Sequence, residues 1–242
     1  MCSKSMGRAW TFAAAAVAAS LLVAAGAEAA PIAAEQQAVT LLDVKRVSSG
    51  PSPGARMLGV VSGDRPITLR RTTLPLLAEQ RDSEGRTWLK VRLPGRTLTR
   101  RRPAPTGWIS AALTRRSTLR WHVVVDVKQR KVLAYRDGRL MRSFGAIVGN
   151  PRTPTPRGDH FIEETLRMPA GSAGGPYALA TSARSSVYQE FAGGPGQIAL
   201  HGVSGIGGQM GTAVSHGCIR MTSAGVTWLQ QYIQPGTPLT IR

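Results

Sequence analysis

Turn residues interrupt this sequence so often that only short strands fit between them over most of its length. Asp137-Gly138 separates the β-prone runs KVLAY and RLMRSFGAIVG, and an Asp-Gly pair in that position is a strong signal of a tight hairpin. Further upstream, Pro94-Gly95 ends the run TWLKVRL, in which polar and aliphatic residues alternate. Alternation with a period of two places alternate side chains on opposite faces of a strand. The chain is therefore predicted to be mainly β.

One segment near the C-terminus has the pattern of a helix. In the stretch SAGVTWLQQYI, which runs from Ser223 to Ile233, larger side chains recur at helical spacing, and Thr222 or Ser223 can cap the first turn. No other stretch of comparable length has this pattern, and the sequence contains no internal repeat. We therefore predict one short C-terminal helix in an otherwise β chain.

Composition divides the chain into four segments. Residues 1–29 combine a short basic start, an apolar stretch and Ala27-Glu28-Ala29, which is the layout of a cleavable secretory signal; a retained membrane anchor is the alternative. Residues 30–56 are rich in Gly, Pro and Ser and are predicted to be a linker. Residues 57–119 are predicted to form a small β unit and residues 121–242 a second one. The expected location is extracytoplasmic, in the cell wall or the periplasmic space.

The chain is strongly basic, with a formal net charge of +18. Residues 30–120 carry 17 Lys and Arg against 6 Asp and Glu, a net charge of +11. Such a balance favours polyanionic surroundings, which for an exported protein are anionic wall polymers; membrane contact is expected only if the signal is retained. Nucleic acid is not expected, because no nucleic-acid-binding motif is present. A basic surface without a partner is the alternative.

The stretch VSHGCIRM contains one of only two cysteines, Cys218. Cleavage of the signal would remove Cys2, and a single thiol in an exported protein indicates a reactive group or an intermolecular disulfide. His216 and Gly217 directly precede Cys218, and His201 ends the strand-like run QIALHG. The thirteen residues after His201 include five glycines and are predicted to be a loop. This loop can return the chain so that His201 lies beside Cys218.

A histidine beside a cysteine can take the thiol proton and make the sulfur a nucleophile. The histidine then needs an orienting hydrogen-bond partner, for which the Gly202 carbonyl is a candidate. The backbone amides of His216, Gly217 and Cys218 are candidates for an oxyanion hole. Alternatively, His201, His216 and Cys218 could bind zinc, although two ligands separated by a single glycine are not a usual chelating pair. An inert buried cysteine is the third possibility.

The run IALHG, the thirteen-residue loop and then SHGCIRM resemble the signature of the L,D-transpeptidase family. VVVDVKQRKVLAYRDG, VGNPRTPTPRGDHFI and GPYALATS match the order of that catalytic domain, so the resemblance covers residues 121–242. It implies a β-sandwich-like catalytic domain with a long groove. Separately, TWLKVRLPGR followed by TGWISAALT resembles a bacterial SH3-like domain, a small β-barrel, within residues 57–119.

The family resemblance also implies roles for individual residues. Cys218 is expected to be the nucleophile and His201 the general acid and base. His216 is expected to shape the site, and the backbone of Gly217 to contribute to the oxyanion hole. Three further residues are expected to bind substrate: Ser215, Gly202 and Arg220.

The implied reaction is acyl transfer between peptidoglycan stem peptides. Cys218 would form a thioester with a tetrapeptide stem and release D-alanine. An amine of a second stem would then accept the acyl group, giving a 3→3 cross-link, and a carbapenem β-lactam is expected to acylate the same thiol. This chemistry requires no cofactor or metal. The alternatives are a hydrolase that uses water at the same site and a non-catalytic wall-binding protein.

Overall fold

A computed structural model describes Met1 and residues 32–97, 105–190 and 193–242. By contact density the chain separates into Met1–Ala30 and Pro31–Arg242. All strands and the helix of the described residues lie in the second of these units. The predicted secretory signal lies outside the described residues except for Met1. Within the described ranges, no helix is long and apolar enough to cross a membrane.

The first seven strands form one antiparallel sheet, which we call the N-terminal sheet. Its strands are β1 (Gln36–Leu41), β2 (Lys45–Ser48), β3 (Met57–Val61), β4 (Thr73–Arg81), β5 (Thr87–Arg92), β6 (Thr106–Ser110) and β7 (Thr114–Leu119). They are ordered β3-β2-β6-β5-β4-β1-β7. Its core consists of fully buried aliphatic side chains such as Leu41, Leu74, Leu89 and Ile109.

The prediction of a linker over residues 30–56 is wrong where β1 and β2 lie. Strand β1 pairs with β4 on one side and β7 on the other, so it is an inner strand of the sheet. Ala38, Val39 and Leu41 on this strand are fully buried. The partners of β1 come much later in the chain, so no local pattern reveals the pairing. The SH3-like character of residues 57–119 remains a prediction.

The second large sheet, the C-terminal sheet, contains eight strands. These are β8 (Trp121–Asp126), β9 (Lys131–Arg136), β10 (Arg139–Gly145), β12 (Gly158–Arg167), β13 (Tyr177–Arg184), β14 (Gln197–Gly202), β16 (Ile219–Met221) and β17 (Pro238–Ile241). Their order is β10-β9-β8-β17-β12-β13-β14-β16. The β8/β17 and β14/β16 pairs are parallel, and the other pairs are antiparallel. Two short strands, β11 (Val148–Gly149) and β15 (Ala213–Ser215), form a separate parallel pair.

The predicted helix and hairpin are both confirmed. Helix α1 spans Ser223–Tyr232, and the Thr222 hydroxyl accepts a hydrogen bond from the Gly225 amide as its N-cap. Val226 and Leu229 on α1 are fully buried in the core of the C-terminal sheet. Asp137 and Gly138, with φ of 53° and 74°, form the turn between β9 and β10, and positive φ at both positions is the backbone that a tight hairpin needs. The chain is mainly β with one short helix, as predicted.

The two sheets share buried structure. Phe161 lies on β12 of the C-terminal sheet, yet its side chain packs in the core of the N-terminal sheet. Gly95, in the loop after β5, approaches β13 so closely that a Cβ at this position would collide with the Ser182 carbonyl oxygen. Contact between the sheets is therefore close at both the side-chain and the backbone level.

Candidate active site

The parallel pairing of β14 and β16 brings His201 and Cys218 to one face of the C-terminal sheet. His201 pairs in register with Arg220, and Leu200 pairs with Ile219. Leu200 and Ile219 are fully buried, whereas His201, Cys218 and Arg220 are only partly buried. Because side chains alternate between the faces of a strand, the three partly buried residues share the face opposite the core. The structure thus places the predicted histidine on β14 and the predicted cysteine directly before its neighbour β16.

The His201 ring is oriented by the carbonyl group expected from the sequence. His201 Nδ1 lies 2.8 Å from the Gly202 carbonyl oxygen. A carbonyl oxygen can only accept a hydrogen bond, so Nδ1 carries the proton and Nε2 keeps its lone pair. Burial lowers the pKa of His201, an effect partly offset by the Gly202 carbonyl and reinforced by the charge of Arg220. His201 is therefore a neutral imidazole that can accept a proton at Nε2.

The thiol of Cys218 is in its protonated form at neutral pH. Burial raises the pKa of Cys218, and a backbone hydrogen bond from Ala199 and the charge of Arg220 lower it to a smaller extent. The sulfur is a free thiol, and Sγ lies 4.0 Å from the Gln197 carbonyl oxygen, which accepts its hydrogen. The resting pair is therefore a neutral thiol and a neutral imidazole. Such a pair needs proton transfer to His201 when the sulfur attacks.

A short turn from Ser215 to Cys218 presents the thiol. The Ser215 hydroxyl donates to the Cys218 carbonyl oxygen at 2.6 Å and accepts from the Gly217 amide at 3.1 Å. Ser215 is fully buried, and its role in substrate binding stays a prediction. The oxyanion role of the Gly217 backbone also stays a prediction, although its amide already donates to Ser215. The amides of His216 and Cys218 are further candidates for that role.

Gly217 instead provides a backbone conformation. Its φ is 115°, and a Cβ at this position would lie 3.0 Å from Ile198 Cδ1. A residue with a side chain would be strained there and would press on the core. Glycine at this position lets the turn place Cys218 directly before β16.

Polar residues of a proline-rich loop hold this turn in place, and the sequence interpretation missed them. Asn150 Nδ2 and Thr153 Oγ1 donate to the Ser215 carbonyl oxygen at 3.0 and 3.2 Å. Thr155 Oγ1 donates to the Gly217 carbonyl oxygen at 2.9 Å. In the run NPRTPTP these residues alternate with prolines. This pattern is the only available signal, since prolines fix the loop while the polar side chains between them need partners.

The other two predicted substrate-binding residues differ in their surroundings. Gly202 is buried, and a Cβ there would collide with the Gly175 carbonyl oxygen. Its carbonyl orients His201, and its role as a substrate contact stays a prediction. Arg220 Nη1 lies 3.4 Å from the Gly207 carbonyl oxygen. The guanidinium therefore borders the glycine-rich loop beside the site, where a substrate carboxylate or amide could meet it.

His216 occupies the outer side of the site. It is exposed, and its ring centroid lies 6.1 Å from that of Tyr188. The prediction that His216 shapes the site stays a prediction. Among the residues that the structure describes, no three His, Cys, Asp or Glu side chains gather as a metal-binding group.

Known proteins resemble this chain over the same region. The YkuD family model, which describes an L,D-transpeptidase catalytic domain, matches residues 120–241. The YkuD protein of Bacillus subtilis is 29% identical over 124 residues, which cover 51% of this chain and 67% of that protein.

Solved structures with a similar fold include an L,D-transpeptidase from Mycobacterium smegmatis, with 18% identity and a TM-score of 0.41. The match covers 64% of this chain and 90% of the Mycobacterium smegmatis protein. L,D-transpeptidase 3 from Mycobacterium tuberculosis has 15% identity and a TM-score of 0.42. That match covers 65% of this chain and 91% of the Mycobacterium tuberculosis protein. Because the family model spans half of the sequence and includes both His201 and Cys218, the chain belongs to the YkuD family of L,D-transpeptidase catalytic domains.

Proposed function

We propose that this protein is an exported cysteine acyltransferase that cross-links peptidoglycan stem peptides. Family membership supports peptidoglycan as the substrate. The observation that supports the mechanism is that the parallel pair β14/β16 carries His201 and, directly before β16, Cys218 to one face of the sheet, with His201 Nδ1 bound to a carbonyl. This arrangement leaves Nε2 as the proton acceptor of the site.

The first half-reaction forms a thioester. Cys218 Sγ attacks the carbonyl that links the third stem residue to the terminal D-alanine, while His201 Nε2 takes the thiol proton. The negative charge on the carbonyl oxygen is stabilised by the amides of His216 and Cys218. When the tetrahedral intermediate collapses, the C–N bond breaks, and His201 returns its proton to the departing amine of D-alanine.

The second half-reaction transfers the acyl group. A side-chain amine of another stem attacks the thioester carbonyl, and His201 takes a proton from that amine. The C–S bond then breaks, Cys218 leaves as the thiol after reprotonation, and a 3→3 amide cross-link remains. Every proton moves through Nε2 of one histidine, so the cycle needs no cofactor. Arg220 is placed to bind a carboxylate or amide of either stem.

The setting of the protein is part of this proposal. The apolar segment within residues 1–29 supports export, and the net charge of +11 over residues 30–120 supports contact with anionic wall polymers. The site would then work outside the cytoplasm, where peptidoglycan stems are accessible.

Release of D-alanine from a tetrapeptide stem tests the proposal directly. We expect release that depends on Cys218, together with a cross-linked product whose yield rises with added amine acceptor. Cys218→Ala should abolish both reactions, and His201→Gln should lower them by about 10²–10⁴-fold. Intact-mass measurement with a carbapenem should show one adduct on the parent protein and none on Cys218→Ala.

Three outcomes would contradict the proposal in different ways. An adduct that persists in Cys218→Ala would remove this thiol as the nucleophile. Products that stay hydrolytic at high acceptor concentration would make the protein a hydrolase with the same site. Retained wall binding with no turnover by the parent protein would leave only a binding function.

A further inference from the structure

A buried cluster of charges lies where the N-terminal sheet meets β12 and β13. The Glu163 carboxylate is fully buried and accepts from Arg65 Nη2 at 2.5 Å and from Arg184 Nη2 at 3.1 Å. It also accepts from the Gly95 backbone amide at 2.9 Å. Arg65 and Gly95 belong to loops of the N-terminal sheet, whereas Arg184 ends β13. Glu163 is therefore fixed from both sheets at once.

An irregularity in β12 directs this carboxylate towards the N-terminal sheet. The β12/β13 register shifts between Ile162 and Glu164, so Glu163 is the extra residue of a bulge. A bulge allows two consecutive residues to leave the strand alternation. Glu164 is likewise buried, and its carboxylate accepts from both the amide and the hydroxyl of Thr68 at 2.8 Å. Arg65 Nε lies 3.5 Å from Glu164 Oε1, so the Arg65 guanidinium lies beside both carboxylates.

One further donor to Glu163 leads to the nucleophile. Gln197 Nε2 donates to Glu163 Oε2 at 3.0 Å and to the Thr181 carbonyl oxygen at 2.9 Å. The backbone carbonyl of the same Gln197 accepts from Cys218 Sγ. Gln197 therefore has its side chain anchored in the charge cluster and its carbonyl directed at the thiol.

Cohesion between the sheets does not by itself require such a cluster. Desolvating two carboxylates and two guanidinium groups is expensive, and apolar side chains of similar volume often stabilise a buried interface equally well. A buried hydrogen-bonded network does, however, restrict the geometry of the groups that it binds. What the cluster adds here is a fixed position for the Gln197 side chain, and hence for the backbone at the start of β14.

We propose that Glu163 is a positioning residue for Cys218 and acts through Gln197. Glu163 fixes the Gln197 amide, the fixed side chain sets the direction of the Gln197 carbonyl, and that carbonyl fixes the position of Cys218 Sγ before attack. This proposal rests on the proposed function only in assuming that Cys218 is the nucleophile.

Other charged or titratable groups around the thiol are already accounted for. His201 on β14 and Arg220 on β16 share its face of the sheet, and His216 lies in its own turn. Among the described residues, Arg220 is the charged group whose field shifts the pKa of Cys218. The influence of Glu163 is therefore expected to pass through hydrogen bonds rather than through its charge.

The rate of Cys218 alkylation by iodoacetamide, measured against pH by intact mass, tests this proposal. Gln197→Met keeps the volume of the side chain and removes its amide, while Arg65, Arg184 and Gly95 still satisfy Glu163. A carbonyl that accepts the thiol hydrogen favours the protonated sulfur. Its displacement should lower the alkylation midpoint by about half to one pH unit. The value of kcat for D-alanine release should fall about tenfold, with KM changed less than about twofold.

A matched control separates positioning from general loss of stability. Glu79→Gln breaks the exposed ion pair with Arg116, whose nitrogen lies 2.7 Å from the Glu79 carboxylate, and should leave the midpoint and kcat unchanged. Glu163→Gln should shift the midpoint in the same direction as Gln197→Met. An unshifted midpoint in folded Gln197→Met would overturn the proposal, even if Glu163→Gln failed to fold. Because alkylation needs no stem peptide, this result is independent of whether the parent protein proves to be a transpeptidase.

Discussion

The protonation states of His201 and Cys218 determine how a reaction can begin at this site. Burial lowers the pKa of His201 and raises the pKa of Cys218. The two pKa values therefore move apart, and both groups stay neutral over a wide range of pH. A preformed thiolate–imidazolium pair would need the opposite shifts. The site is therefore built for proton transfer during attack.

The pH profile of kcat/KM for D-alanine release should follow from these directions. Since kcat/KM reports the free enzyme, its acidic limb should have a midpoint below 6.5, the ordinary pKa of histidine. Arg220→Gln removes a cation that lowers both pKa values, so both limbs should move to higher pH. A parent profile with its acidic midpoint above 6.5 would contradict the neutral pair.

Residue-level prediction works best where it depends on position along the chain. The glycine-rich loop between His201 and Cys218 is sufficient to predict that they reach one face of the sheet, while their catalytic roles stay predictions. The hydrogen bonds at Ser215 and Gly217 could not be predicted in the same way. Their polar groups bond to each other within the turn, and a sequence does not reveal whether a hydroxyl or amide already has a partner.

Among the elements, three strands from distant parts of the chain are joined by one histidine. His122 on β8 accepts from Gln36 Nε2 at 3.0 Å, and its other ring nitrogen lies 2.9 Å from Thr240 Oγ1 on β17. Gln36 belongs to β1, so this contact connects the N-terminal sheet with the C-terminal sheet. Burial lowers the pKa of His122 to about 4.

This histidine should make stability depend on pH. In the unfolded chain His122 takes up a proton near pH 6.5, whereas in the folded protein it does so only near pH 4. The unfolded state binds the extra proton between these values, so the free energy of unfolding should fall by about 3 kcal/mol as pH drops from 6.5 to 4. The free energy of unfolding of His122→Asn, measured with urea at each pH, should lack this dependence on pH.

Thr240→Val is the matched control for that measurement. It removes the hydroxyl beside the ring but keeps the titrating group. The expected result is lower stability at every pH with the slope of the parent protein. An identical slope in His122→Asn and in the parent would show that His122 is not the group responsible.

Elements were predictable where their signal is local. The Asp137-Gly138 turn and the Thr222 cap are each encoded in a few adjacent residues, and both predictions are confirmed. Strand β1 was missed, because its burial depends on pairing with β4 and β7 from elsewhere in the chain. The bulge at Glu163 was equally hidden, because a register shift belongs to a pair of strands rather than to one.

Over the whole molecule, the two sheets behave as one structural unit. Residues 31–242 do not separate by contact density, and Phe161 and Glu163 of β12 are both buried against the N-terminal sheet. Loss of the N-terminal sheet would expose the Phe161 ring and remove the Arg65 and Gly95 donors of Glu163. Unfolding of one sheet should therefore accompany unfolding of the other.

Hydrogen exchange of a core variant tests this coupling. Leu89→Ala lies in the core of the N-terminal sheet only and should cost about 2–5 kcal/mol. We expect the opening free energy of the slowest-exchanging β13 amides to fall by the same amount, because these amides are exposed only in global unfolding. Unchanged protection of β13 would mean that the sheets unfold separately.

The parallel pairing of β14 and β16 has a consequence for how the family can vary. The relative position of His201 and Cys218 is set by the ladder between the strands and by the polar contacts of the turn. The segment 203–212 that connects them is largely exposed and makes no part of that ladder. If the proposed function holds, insertions or deletions in this connection should change which acceptors reach the thioester while the relative position of His201 and Cys218 is kept. The chemistry and the choice of substrate can thus evolve independently.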